Sequence, residues 1–146
     1  MANPISSNLI TGTIGELLVQ LRLLQFGVQA APPLKDSGND LVALQGYEVR
    51  TIQVKCSAHG VPQIRNLSDR YHLLALVVLQ GHDETLFLDQ TQIYLVPRKD
   101  VPTLSRNLAE LAPYLLSQNH VAQLFATVAR HETTGSDTII NPLMTP

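Results

Sequence analysis

Four polar side chains in the first 55 residues have the types and spacing needed to handle a phosphodiester: Glu16, Asp40, Gln53 and Lys55. Asp40 and Gln53 offer a carboxylate and an amide oxygen, both hard ligands for a divalent cation, and Glu16 adds a second acid. Lys55 supplies a compact positive charge to orient an attacking water or to offset charge on a phosphate. Together they suit metal-assisted hydrolysis, provided the fold gathers them.

The gathering element is a hairpin. Asp40 to Gln45 (DLVALQ) and Glu48 to Lys55 (EVRTIQVK) alternate or are β-branched, and Gly46-Tyr47 between them fits a two-residue turn with glycine first. With Gln45 and Glu48 flanking the turn, Asp40 lies across from Gln53 on one sheet face, and Lys55 shares that face. Ile52, Val54 and Cys56 then point into the core, so the apolar alternation selects the same faces independently. The loop AAPPLKDSGN, from Ala30 to Asn39, leads into the site with two prolines and a run of turn formers.

Upstream, GTIGELLVQLRLLQFG predicts a helix over Gly12 to Gly27, capped by Thr11 or Thr13 and ended by Gly27. Ile14, Leu17, Leu18, Leu21 and Leu24 form its main apolar stripe, the expected core face, with Glu16 off that stripe. Val19, Leu23 and Phe26 cluster on the other side, so C-terminal helices or a second subunit should cover it. Downstream, residues Cys56 to Tyr71 read as irregular with a helical turn near Leu67 to Tyr71. The unbroken apolar run His72 to Leu79 is a strand buried on both faces. GHDE, from Gly81 to Glu84, turns the chain into Thr85 to Leu88, and Gln92 to Val96 is a strand stopped by Pro97. From Thr103 to His131 the pattern is helical, with Pro113 opening a second helix and Leu104, Leu108, Leu111, Leu115 and Leu116 as its apolar face. The expected fold class is α/β: one domain over residues 1–132 with a mixed sheet flanked by helices, then a loose tail over 133–146.

The motifs G-E-L-L-V around Glu16, D-S-G-N-D ending in Asp40 and I-Q-V-K from Ile52 to Lys55 resemble those of the PD-(D/E)XK nuclease superfamily, with its restriction-endonuclease-like core. Glutamine in place of the usual acid is similar to the Q-x-K variant of restriction enzymes acting on methylated DNA and of some intron-encoded homing endonucleases. The order of elements also resembles Holliday junction resolvases, and the likeness covers about the first hundred residues, through Y-L-V-P-R. This resemblance implies a Mg2+- or Mn2+-dependent DNA endonuclease. In it Asp40 is the principal metal ligand, Gln53 a weaker one, Glu16 an accessory one, and Lys55 the catalytic lysine. The lost negative charge at Gln53 keeps a second expectation open, a catalytically weak or inactive relative that binds DNA or a protein partner in a defence or mobile-element system.

Composition narrows the partners. The 146 residues carry 10 basic and 12 acidic side chains, a formal charge of -2, which excludes binding nucleic acid by bulk positive charge. Up to His72 the balance is six basic against five acidic, so the acidic excess belongs to the second half. Arg50, Arg65 and Arg70 flank the site and are the expected phosphate contacts. With no tryptophan and 5% aromatics, a base-stacking platform is poorly supplied, which favours duplex or branched DNA over single strands. Charged residues make up only 15%, so a homodimer surface is expected. The five histidines lack ligand spacing, Cys56 reads as a small core residue, and there is no G-x-S-x-G elbow. Neither an export signal nor a membrane span is evident, so the expected location is the cytoplasm.

Overall fold

The structure, a computed structural model, describes residues 5–83 and 85–127. The C-terminal end of the expected helical stretch, the tail Thr133–Pro146 and Glu84 of the GHDE turn lie outside the described residues.

Helix α1 spans Ser7–Gln25. It begins five residues before the expected start because Ser6, not Thr11 or Thr13, is the N-cap, its Oγ accepting from Leu9 N at 3.2 Å. The two threonine hydroxyls donate back to carbonyls of Ser7 and Leu9 inside the helix. A short strand β1, Gln29–Ala31, occupies what reads in sequence as the start of a loop. Strands β2 (Leu41–Gln45) and β3 (Glu48–Ser57) form the expected hairpin, with Leu41 opposite Ile52, Gln45 opposite Glu48, and Gly46 at φ +59° in the turn. That positive φ is what the turn requires of its first central residue and what glycine adopts without a Cβ penalty. Strand β4 (Leu73–Val78) runs parallel to β3 and is buried at every position, as the apolar run predicts. Strand β7 (Gln92–Pro97) closes the other edge antiparallel to β4. The sheet order is β1-β2-β3-β4-β7, while β5 (Gly81–His82) and β6 (Thr85–Leu86) make a separate small ribbon.

Two apolar layers cover this mixed sheet. On one face α1 and α3 (Gln118–Leu124) pack over Leu41, Ile52, Ala75, Val77 and Leu95. On the other, Val61, Ile64 and Leu67 and the turns after β7 pack over Leu74, Leu76, Val78 and Val96. The C-terminal segment is not two regular helices. It is a 3-10 turn Arg98–Thr103, a single α turn α2 (Leu108–Leu111), a 3-10 turn Ala112–Tyr114 and then α3, capped by Ser117. Pro102 and Pro113 explain the interruptions: each lacks the N–H that a continuing helix needs. No helical turn forms at Leu67–Tyr71, where the chain is bent coil.

The largest departure from expectation is the face of α1 turned to the sheet. Gly15, Leu18, Val19 and Leu23 are buried, whereas Leu17, Leu21 and Leu24 are exposed. Gly15 decides this. A Cβ there would stand 2.5 Å from Cys56 Cβ and 2.9 Å from its Sγ, so the helix rests on β3 at the one position where its backbone can approach. Gly15→Ala is therefore expected to destabilise the fold by about 2 kcal/mol, because overpacking against a strand outweighs the ~1 kcal/mol that alanine gains in helix propensity. Urea denaturation of the two proteins checks this, and an unchanged or raised midpoint would refute it.

Candidate active site

Asp40 sits immediately before β2 and pins it to β3. Its N–H donates to Ile52 O at 3.0 Å, and its carboxylate Oδ2 accepts from Gln53 Nε2 and from Val54 N, both at 2.7 Å. The predicted juxtaposition of Asp40 and Gln53 is thus a direct hydrogen bond. The second carboxylate oxygen, Oδ1, and the amide oxygen of Gln53 accept no hydrogen bond among the described residues. Lys55 follows two residues along the same face, half-buried, with no hydrogen bond or ion pair among the described residues. Its register partner Leu76 belongs to the layer under residues 61–71, as does Leu74 opposite Gln53.

Glu16 comes to the site from the other layer. Gly15 lets α1 lie close on β3, and the next residue, Glu16, is half-buried at that approach. Its carboxyl pKa is raised from the ordinary glutamate value, first by burial and then by the nearby charge of Asp40.

The loop before Asp40 is held in shape by contacts that spacing does not reveal. Asp36 Oδ1 accepts from Gly38 N at 2.9 Å, an Asx turn legible in D-S-G-N. Gly38 takes φ +81°, and its carbonyl accepts from Ser68 Oγ at 2.7 Å, which ties the loop to the segment carrying Arg65 and Arg70. Neighbouring Asn39 is buried, and its Oδ1 has no hydrogen-bond partner among the described residues. A buried amide oxygen without a protein donor costs stability, roughly 1 to 3 kcal/mol. Ser68 and Asn39 were not expected from sequence: nothing in their local pattern distinguishes them from ordinary loop residues.

The three arginines part company. Arg50 lies on the Ile52 face and is committed to structure: it pairs with Glu48 at 3.0 Å, donates to the carbonyls of Val49, Leu124 and Ala126, and stacks 5.8 Å from the Phe125 ring centroid. It fastens the end of α3 to β3 and is not a free phosphate contact, which corrects the expectation for this residue. Arg65 and Arg70 are exposed in the segment covering the Gln53 and Lys55 face.

Three of the described histidines are tied into structural or surface contacts. His72 Nδ1 lies 3.0 Å from Thr51 N, His120 Nε2 lies 2.7 Å from Leu95 O, and His82 pairs with Asp83 at the surface. Among the described residues no three His, Cys, Asp or Glu side chains converge on a metal position. The carboxylates of Asp40 and Glu16 and the amide oxygen of Gln53 are hard oxygens of the kind that Mg2+ or Mn2+ takes as ligands. Burial pushes the Cys56 thiol up to about 11, so this half-buried side chain is a poor nucleophile.

A five-stranded mixed sheet with helices on its faces and polar residues gathered at the open end of a hairpin defines a restriction-endonuclease-like fold. The solved structure of a bacterial homing endonuclease, I-Ssp6803I, is similar to this chain, with a TM-score of 0.50 and 16% identity over 82% of this chain and 94% of that one. No protein-family profile and no curated protein sequence matches the chain. Among the described residues no helix is long and apolar enough to cross a membrane.

Proposed function

We propose that this chain is an endodeoxyribonuclease of the Q-x-K type that hydrolyses phosphodiester bonds in duplex or branched DNA, acting in the cytoplasm as a homodimer. The observation that carries the reading is the 2.7 Å contact of Asp40 with Gln53, two residues before a Lys55 that has no ion pair among the described residues, and within electrostatic reach of Glu16. Asp40, Glu16 and Gln53 are the residues to hold Mg2+ or Mn2+, which when bound polarises the phosphate and lowers the pKa of water. Lys55 offsets developing charge on the phosphate or orients the attacking water. Asp40 keeps the β2 and β3 ends in register, with Gln53 and Lys55 two residues apart on one face of the sheet. Arg65 and Arg70 lie along the track that flanking phosphates would follow, giving a salt-sensitive contact suited to a chain with no bulk positive charge.

The test is nicking of supercoiled plasmid and of a four-way junction in Mg2+ or Mn2+, with EDTA as control. Lys55→Ala is expected to lower the rate by about 10²- to 10³-fold, the usual loss when one charge-stabilising donor is removed. Cleavage at an undiminished rate in this variant would overturn the assignment. One observation favours a second reading: Asp40 is already satisfied by Gln53 and Val54 without any cation. If calorimetry finds no divalent binding at millimolar concentration, the chain is instead a non-catalytic relative that binds DNA or a protein partner.

A further inference from the structure

Helix α1 carries a second apolar stripe that the other described residues leave largely exposed. Ile10, Ile14, Leu17, Leu21 and Leu24 recur at alternating intervals of four and three residues, the heptad seam of a coiled coil. By the 3.6-residue turn this seam lies on the side of the helix away from Gly15, Val19 and Leu23, which face the sheet. Ile10 is 40% exposed, Leu17 58%, Leu21 47% and Leu24 61%, and only Ile14 is partly packed against the core. A groove lined by Leu21, Arg22, Gln25 and Leu88 runs beside it, and Leu88 is itself exposed.

We infer that this seam seats the same helix of a second copy of the chain, a twofold helix-to-helix contact. Three features select that occupant. A strict heptad stripe is matched in period by another helix carrying the same stripe, and an isologous contact supplies it at no cost in new sequence. The helix positions on either side of the seam, Thr11, Thr13, Gln20 and Gln25, are uncharged, and the two charges that line the adjoining groove, Arg22 and Asp89, are of opposite sign. The exposed aliphatic side chains Ile10, Leu17, Leu21, Leu24 and Leu88 present an apolar area on the order of 500 Å2. With their uncharged neighbours this approaches the ~800 Å2 per partner of a standard interface, at the upper end for patches left bare on a monomer.

This deepens the two-copy reading above by naming its surface, and its test involves no cleavage. Sedimentation or light scattering of the full chain at tens of micromolar is expected to give twice the 16.0 kDa chain mass. The double variant Leu17→Lys, Leu21→Lys is expected to give the single-chain mass with an unchanged circular dichroism spectrum, since both side chains are exposed in the isolated fold. Val42→Lys with Leu44→Lys, on the other exposed apolar face, is expected to remain dimeric. A monomeric wild type, the result if another protein or another part of the chain covers the seam, overturns the inference. A dimer that survives the α1 variant, or one that dissociates in the Val42 and Leu44 variant, overturns it as well. Nicking is measured separately, so an inactive dimer counts against the nuclease reading and leaves the seam standing.

Discussion

Asp40→Ala is expected to abolish divalent-dependent nicking and to lower the unfolding free energy by about 2 to 3 kcal/mol, the stability loss being read from urea denaturation. Both effects have one source. The carboxylate accepts two short hydrogen bonds that join the beginning of β2 to β3, and alanine leaves Val54 N in a half-buried position with no acceptor. Asp40→Asn separates structure from chemistry: its amide oxygen still accepts one bond, so it should cost about 1 kcal/mol while losing cleavage as fully as alanine. An active Asn variant would remove Asp40 from the chemistry.

The same substitution has a pH signature. Because the folded-state pKa of Glu16 is raised, the native protein binds a proton at Glu16 that the unfolded chain has already released. Its contribution to stability is complete below the unfolded value and is lost as pH rises through the folded value. Asp40→Ala removes the second cause of the shift, so the stability profile of the variant should fall less steeply with rising pH across that window. Burial still acts on Glu16, and the slope should shrink without vanishing.

What was legible in the sequence follows from which physical constraints are local. The hairpin register rests on one turn and on period-two alternation, both contained within sixteen residues, and it led directly to the Asp40 and Gln53 contact. The doubly buried β4 was legible for the same reason. The seating of α1 was not, because the helix has two apolar stripes and hydrophobicity cannot rank them. The deciding residue was a glycine whose value lies in what it lets approach. Arg50 misled for a related reason: its neighbours in sequence are strand residues, while the carbonyls of Leu124 and Ala126 that bind it are over seventy residues away. Pro102 and Pro113 were visible, yet a leucine-rich pattern spanning them suggested longer helices than the missing N–H groups allow.

Gln53→Glu tests what the glutamine does for the site, and its two expected effects have opposite signs. In the wild type the Gln53 amide donates to Asp40 Oδ2, so the hairpin end is stable with no cation bound. An ionised glutamate cannot donate, and it would place a second carboxylate against Asp40 with Glu16 also near. In EDTA the variant should therefore be less stable by about 2 to 3 kcal/mol, through loss of a charge-assisted bond and through like-charge repulsion. In Mg2+ the added charge should tighten binding about tenfold or more, since ligand charge is a main determinant of affinity in oxygen sites. Thermal unfolding with and without cation reads both effects, because stabilisation grows with cation concentration over its dissociation constant. A variant that is destabilised yet gains no more from Mg2+ than the wild type would show that position 53 does not face a cation. Paired results, a weaker free protein and a larger cation shift, would mean that glutamine trades cation affinity for a site that holds its shape when empty.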